Sequence, residues 1–119
     1  MIIKKGDIVI TTIKSNGGSA QNGLRPVMII QNDTGNNQSG TTIVAAITSK
    51  NKRVFFPTHV KIKEADGTGL KEDSVVMLEQ IFTIDKKTIM KKIGVANDKI
   101  LKEIDEAILR SFGIKLENE

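Results

Sequence analysis

Apolar residues in this chain fall into short blocks rich in β-branched side chains, each closed off by polar, turn-forming residues. Positions 8–13, 27–30, 43–47 and 75–78 are such blocks, and each predicts a strand. Gly6 and Asp7 introduce the first. Between the second and third lies 32–40, where nearly every residue favours turns, and this predicts a hairpin connection. Pro57 stands inside the stretch 55–60 and confines that strand to a sheet edge or to its first residue, because proline has no N–H to give a ladder. Asp66 and Gly67 close a further turn. Asp85 is placed to cap a short helical turn over 86–90, and a last strand is expected near 92–95.

The blocks are close to continuously apolar rather than alternating. A sheet with one wet face should alternate, so these strands are expected to be covered on both sides. One cover is the segment 97–112, the clearest helix in the chain. Asn97 suits its N-cap, Asp98 its first turn and Arg110 its last, and Gly113 supplies a left-handed stop. Ile100, Leu101, Ile104, Ile108, Leu109 and Phe112 form one apolar stripe, with Glu106 and Arg110 spaced to pair beside it. The other cover expected is a second copy of the chain, which is the sequence's own argument for a homodimer. The fold class that follows is mainly β with α: a small barrel of short strands, one or two short helices, and a C-terminal amphipathic helix.

Composition narrows the function more than the fold. The chain has 119 residues, read as one domain over 1–119. A chain of this size buries roughly 65% of its unfolded surface, enough for one core. Lys and Arg outnumber Asp and Glu by 18 to 14, a net charge of +4, which permits an anionic partner without demanding one. There is no cysteine, so disulfides and thiolate metal sites are excluded. No apolar run has the length of a membrane span and no signal-peptide pattern opens the chain, so a soluble cytoplasmic protein is expected.

The motifs exclude several chemistries. Gly18 to Gly23 has a GxxxxG spacing, but Leu24 and Arg25 follow where a phosphate-binding loop needs Lys and then Ser or Thr. His59 is the only histidine, which rules out a two-histidine ribonuclease or a histidine-rich zinc site; it reads as a strand histidine with a structural hydrogen bond. Asp7, Asp33, Asp73, Glu79 and Asp85 lack the spacing of a metal nuclease, so neither metal nor other cofactor is expected. Four phenylalanines, with no tyrosine or tryptophan, make no stacking platform for single strands.

What remains is arginine and hydroxyl chemistry. The glycine-rich polar loop over 18–23 leads straight into Arg25, which stands where the chain enters a strand. Thr48 ends the strand over 43–47. An arginine and a hydroxyl meeting on one rim of a sheet suit transfer of an RNA phosphodiester to its own 2′-hydroxyl. Arg25 would neutralise charge growing on the phosphate oxygens, and Thr48 would add a neutral donor.

The chain resembles the MazF/PemK family of toxin endoribonucleases. The matching residues are Lys4, Lys5, Gly6, Asp7 and Ile8; Gly18, Ser19 and Gln21; Arg25, Pro26 and Val27; Ile30, Gln31, Asn32 and Asp33 with Gly35 and Asn36. They continue through 43–48, 57–60, 73–76, 78–81 and 83–86. The resemblance implies an SH3-like barrel working as a homodimer. It implies metal-independent cleavage of single-stranded mRNA at short motifs, leaving a cyclic phosphate and a 5′-hydroxyl. It also implies a cognate acidic antitoxin, with which such toxins bind DNA. By position it makes Arg25 and Thr48 the catalytic residues. Gly18, Ser19, Gln21, Gly23, Ser49, Lys50, Glu79 and Gln80 fall on its RNA-binding surface. Lys52 and Arg53 extend the basic rim.

Two departures stand out. Ala20 replaces the glutamate common in the family's loop, and that acid is the natural base for the 2′-hydroxyl. Its loss leaves open a dimer that binds RNA and cuts it weakly or not at all. Phe82 stands where the family usually has arginine. A gyrase poison of the same fold is a third reading, against which the arginine and hydroxyl matches speak.

Overall fold

The computed structural model describes residues 1–13, 23–49 and 56–116. Six strands form one antiparallel sheet: β1 Asp7–Ile13, β2 Gly23–Ile29, β3 Thr41–Thr48, β4 His59–Ile62, β5 Ser74–Asp85 and β6 Ile89–Val95. Two α-helices accompany them, α1 Asp33–Gln38 and α2 Asp98–Ser111. The spatial order is β4-β5-β3-β2-β1-β6. β5 and β6 are therefore far apart in the sheet, yet only the single 3₁₀ turn Lys86–Thr88 joins them. So short a link requires the sheet to curl until its far edge meets the end of β5. The result is barrel-like, although no ladder joins β4 to β6 among the described residues.

Curling explains the continuous apolar runs. Successive residues of one strand serve opposite faces, and both faces are dry. Ile8, Met28, Ala45, Ile47, Val76 and Leu78 face a cluster completed by Ile100, Ile104 and Ala107 of α2. Val9, Val27, Ile29 and Val44 face a second cluster closed by Ile3, Ile84, Ile89 and Phe82. The second face is thus covered by the chain's own N-terminal segment, by the far half of β5 and by Ile89 of β6. The need for a second cover is met within one chain. Phe82 also has a plain role: it packs into that cluster across from Val44, where an arginine would have to be desolvated.

The helix ends behave as their residues predict. The Asn97 side chain accepts a hydrogen bond from the Ile100 N–H at 2.9 Å. Gly113 adopts a φ of +72°, and the N–H of Ile114 reaches the Leu109 carbonyl at 2.8 Å. Asp85 caps the 3₁₀ turn by accepting from the Lys87 N–H at 2.8 Å. Pro57 precedes β4, which is an edge strand.

One expectation holds only in part. The segment 32–40 does join two adjacent antiparallel strands, β2 and β3, as a hairpin connection does, but it carries α1 instead of a tight turn. Asn32 accepts from the Gly35 N–H at 2.8 Å and starts the helix. Buried Asn36 accepts from the Thr42 hydroxyl at 2.6 Å and donates to the Gln31 carbonyl at 2.9 Å. Lys86 Nζ then donates to the carbonyls of Asn36 and Ser39 at the helix end. Turn-forming side chains are satisfied here by distant partners, so the segment can afford a helix.

Candidate active site

Two ladders aim the principal residues. β1 and β2 pair from Ile13 opposite Gly23 to Ile8 opposite Met28. β2 and β3 pair at Val27 and Ala46, at Met28 and Ala45, and at Ile29 and Val44. Following the same antiparallel count from Val27 toward Gly23 brings Arg25 across from Thr48. The two side chains leave the sheet at the same end, and both line one cavity of about 450 Å³. Ser49 lines it as well. Ile13, Pro26, Ile47, Leu70 and Met77 give the cavity an apolar floor, which lowers the local dielectric and strengthens every charge interaction in it.

The far wall was not foreseen. It consists of Lys71 and Glu72, from the loop leading into β5, and Ser74, the first residue of that strand. That loop is pinned at several points. The Asp73 carboxylate accepts from the Glu64 N–H at 2.8 Å, and the Ser74 hydroxyl donates to the Glu72 carbonyl at 3.0 Å. Thr68 and Gly69 lie backbone-to-backbone on β6, so close that a Cβ on Gly94 would sit 1.7 Å from the Thr68 carbonyl oxygen. The sequence offers only a run of three charges, Lys71, Glu72 and Asp73, between a turn and a strand. Nothing local ties them to residues so far upstream.

The remaining candidates fall into three places. Gly23 opens β2 opposite Ile13, beside the cavity. Glu79 and Gln80 lie outside the cavity's described lining, just beyond its floor residue Met77. Gly18, Ser19, Ala20, Gln21, Lys50, Lys52 and Arg53 lie outside the described residues.

Glu79 and Gln80 occupy a break in register. Ala45 of β3 pairs with Ile81 of β5, but its neighbour Ala46 pairs with Met77. Leu78, Glu79 and Gln80 therefore have no counterpart on β3. Leu78 turns inward, its N–H donating to the Thr58 carbonyl at 2.8 Å, while Glu79 and Gln80 stay at the surface. The Thr58 hydroxyl donates to one oxygen of the Glu79 carboxylate at 3.0 Å. Nε2 of His59 meets the other, also at 3.0 Å. Partial burial alone would raise the Glu79 pKa. Hydrogen bonds from His59, from its own backbone and from Thr58 outweigh it and hold the carboxyl below the usual range.

The fold is shared with solved endoribonucleases. An endoribonuclease from mycobacterial species superposes with a TM-score of 0.79 at 17% identity, covering 98% of this chain and 96% of that one. An endoribonuclease solved with its cognate antitoxin, also mycobacterial, gives 0.77 at 19% identity, covering 96% and 98%. In sequence, the chain is 45% identical over 114 residues to the endoribonuclease EndoA of Bacillus subtilis (strain 168), covering 96% of this chain and 97% of EndoA. Residues 4–112 match the family described as the PemK-like, MazF-like toxins of type II toxin-antitoxin systems. The chain belongs to that family.

Proposed function

We propose that the protein is the toxin of a type II toxin-antitoxin system and acts as an endoribonuclease on single-stranded mRNA. The observation that carries this is Arg25 and Thr48 lining one cavity, in a chain 45% identical to an endoribonuclease. The active form is a homodimer, as in the family, and its place of action is the cytoplasm, where mRNA is found.

The chemistry follows from the side chains on the cavity wall. The ribose 2′-oxygen attacks the adjacent phosphorus, and its proton passes to the Glu72 carboxylate. The bond from phosphorus to the 5′-oxygen breaks. That oxygen leaves beside the Arg25 guanidinium, which stabilises its charge, and takes its proton from solvent, to which Glu72 returns the one it accepted. A cyclic phosphate and a 5′-hydroxyl result, and no water is consumed. Arg25 meets the equatorial oxygens with a planar fork that stays charged at any working pH. Thr48 adds a short neutral hydrogen bond to the same oxygens. Glu72 supplies the acceptor that Ala20 does not. No step calls for a metal ion, and among the described residues no three carboxylate or imidazole groups gather to hold one.

The partner that silences the toxin is an antitoxin, which for a chain of net charge +4 is acidic and in part disordered before binding.

The test is incubation of the purified protein with a long transcript in EDTA, with sequencing of the new 5′-hydroxyl ends. Cuts at a recurring short motif are expected, and none with Arg25→Ala. Cutting by Arg25→Ala at the parent's rate would overturn the assignment. RNA retained but never cut would make the protein a binder.

A further inference from the structure

The register break in β5 begins at Met77, the last residue of β5 to line the Arg25 and Thr48 cavity. Its outward residue Gln80 carries an amide with two donors and an acceptor, the groups that read the edge of an unstacked base. An extra loop of strand with no cross-strand partner would ordinarily sample several shapes. Here it is tied from the neighbouring edge strand. Thr58 and His59 engage both oxygens of the Glu79 carboxylate, and the Thr58 carbonyl takes the Leu78 N–H.

His59 is built to hold this position. Its ring is only 4% exposed, and the Phe56 ring meets it edge-on with centroids 4.9 Å apart and planes at 85°. β4 sets it opposite Met77 itself. With Nε2 directed at Glu79, its Nδ1 is buried without a hydrogen-bond partner among the described residues. A buried polar atom left bare is unfavourable, so the ring's orientation is fixed by Glu79 and by packing, not by Nδ1.

We infer that His59 is a positioning residue for substrate selection: with Thr58 it locks Glu79, and through Glu79 it fixes the β5 break that presents Gln80 to the RNA beside the cavity. This rests on the endoribonuclease reading above. His59 is not among the described residues that line the Arg25 and Thr48 cavity, so its loss should change which sequences are cut and leave the speed of cutting at the best site nearly unaltered.

A randomised single-stranded RNA library tests this, with cut sites sequenced and kcat and KM measured on the preferred oligonucleotide. In His59→Phe the preference for the best motif over its nearest competitors is expected to fall about tenfold, the size of one lost hydrogen bond. KM should rise and kcat should hold. His59→Gln retains a donor where Nε2 lies and should restore the ranking. Thr58→Val, which removes the bond to the other oxygen without emptying the core, should shift the ranking in the same direction and covers the case of an unfolded His59→Phe. A parent that cuts while these variants keep its ranking, or lose speed equally at every site, overturns this inference alone. A parent that leaves the library intact overturns the endoribonuclease reading and this inference with it.

Discussion

At Arg25 the shape of the charge matters as much as its sign. Arg25→Lys keeps the cation but loses the fork, so it should recover little of the activity that Arg25→Ala loses. Thr48→Val removes a hydroxyl at nearly constant volume. A drop of about 10²-fold in kcat is expected from that single donor, read on a fluorogenic oligonucleotide. Glu72→Gln should cost about 10²–10⁴ in the same assay, the usual range for lost general-base help. Unchanged kcat in Glu72→Gln would remove it from the mechanism. Two other carboxylates act on stability. Asp33 is held below its ordinary 3.8, first by the Lys5 N–H, against the cost of burial, and then by Asn36 and nearby lysines. Glu79 lies below its ordinary 4.5. Each is stabilised in its ionised form by folded-state partners. That stability is fully present above the ordinary values and is lost as pH falls through the depressed ones. The urea midpoint should therefore hold down to about pH 5 and then decline, and Asp33→Asn and Glu79→Gln should each flatten the decline.

Elements show where sequence patterning succeeds and where it stops. Strands built on blocks of β-branched residues, and a helix bounded by Asn97 and Gly113, were legible because each signal lies within a few residues of what it specifies. Removing one such signal has a local effect: Asn97→Ala should lower stability by about 1 kcal/mol in urea unfolding while leaving the sheet intact. α1 was misread because Asn36 and Ser39 owe their satisfaction to Thr42 and Lys86, and no local pattern announces a lysine from the end of β5. β5 itself was legible only over 75–78, since its far half covers a face that exists only once the sheet has curled. The candidate site divides the same way. Arg25 and Thr48 could be named because each follows a recognisable loop or strand. Lys71 and Glu72 could not, because a backbone contact between Gly69 and β6 carries them there. Gly94→Ala would drive a methyl into the Thr68 carbonyl and should cost about 1–3 kcal/mol or more, loosening that wall. Its cleavage rate should fall further than its residual folded fraction explains.

Over the whole molecule, the +4 charge bears on encounter more than on chemistry. Binding of both RNA and the acidic antitoxin should weaken as salt rises, because each association releases or screens charge. Isothermal titration across a salt series checks this, and an antitoxin affinity indifferent to ionic strength would contradict it. The dimer is a separate matter. Since both faces of the sheet are closed within one chain, a monomer made by interface substitutions should keep its secondary structure.

The short turn between β5 and β6 has a consequence for the birth of the protein. Ribosomes deliver the N-terminus first, so Arg25 and Thr48 emerge well before the segment that walls them in, and β6, which zips onto β1, emerges later still. A nascent chain is an unfinished cup whose sides have not met. The order of synthesis therefore completes the rim around Arg25 and Thr48 only after β6 has been made.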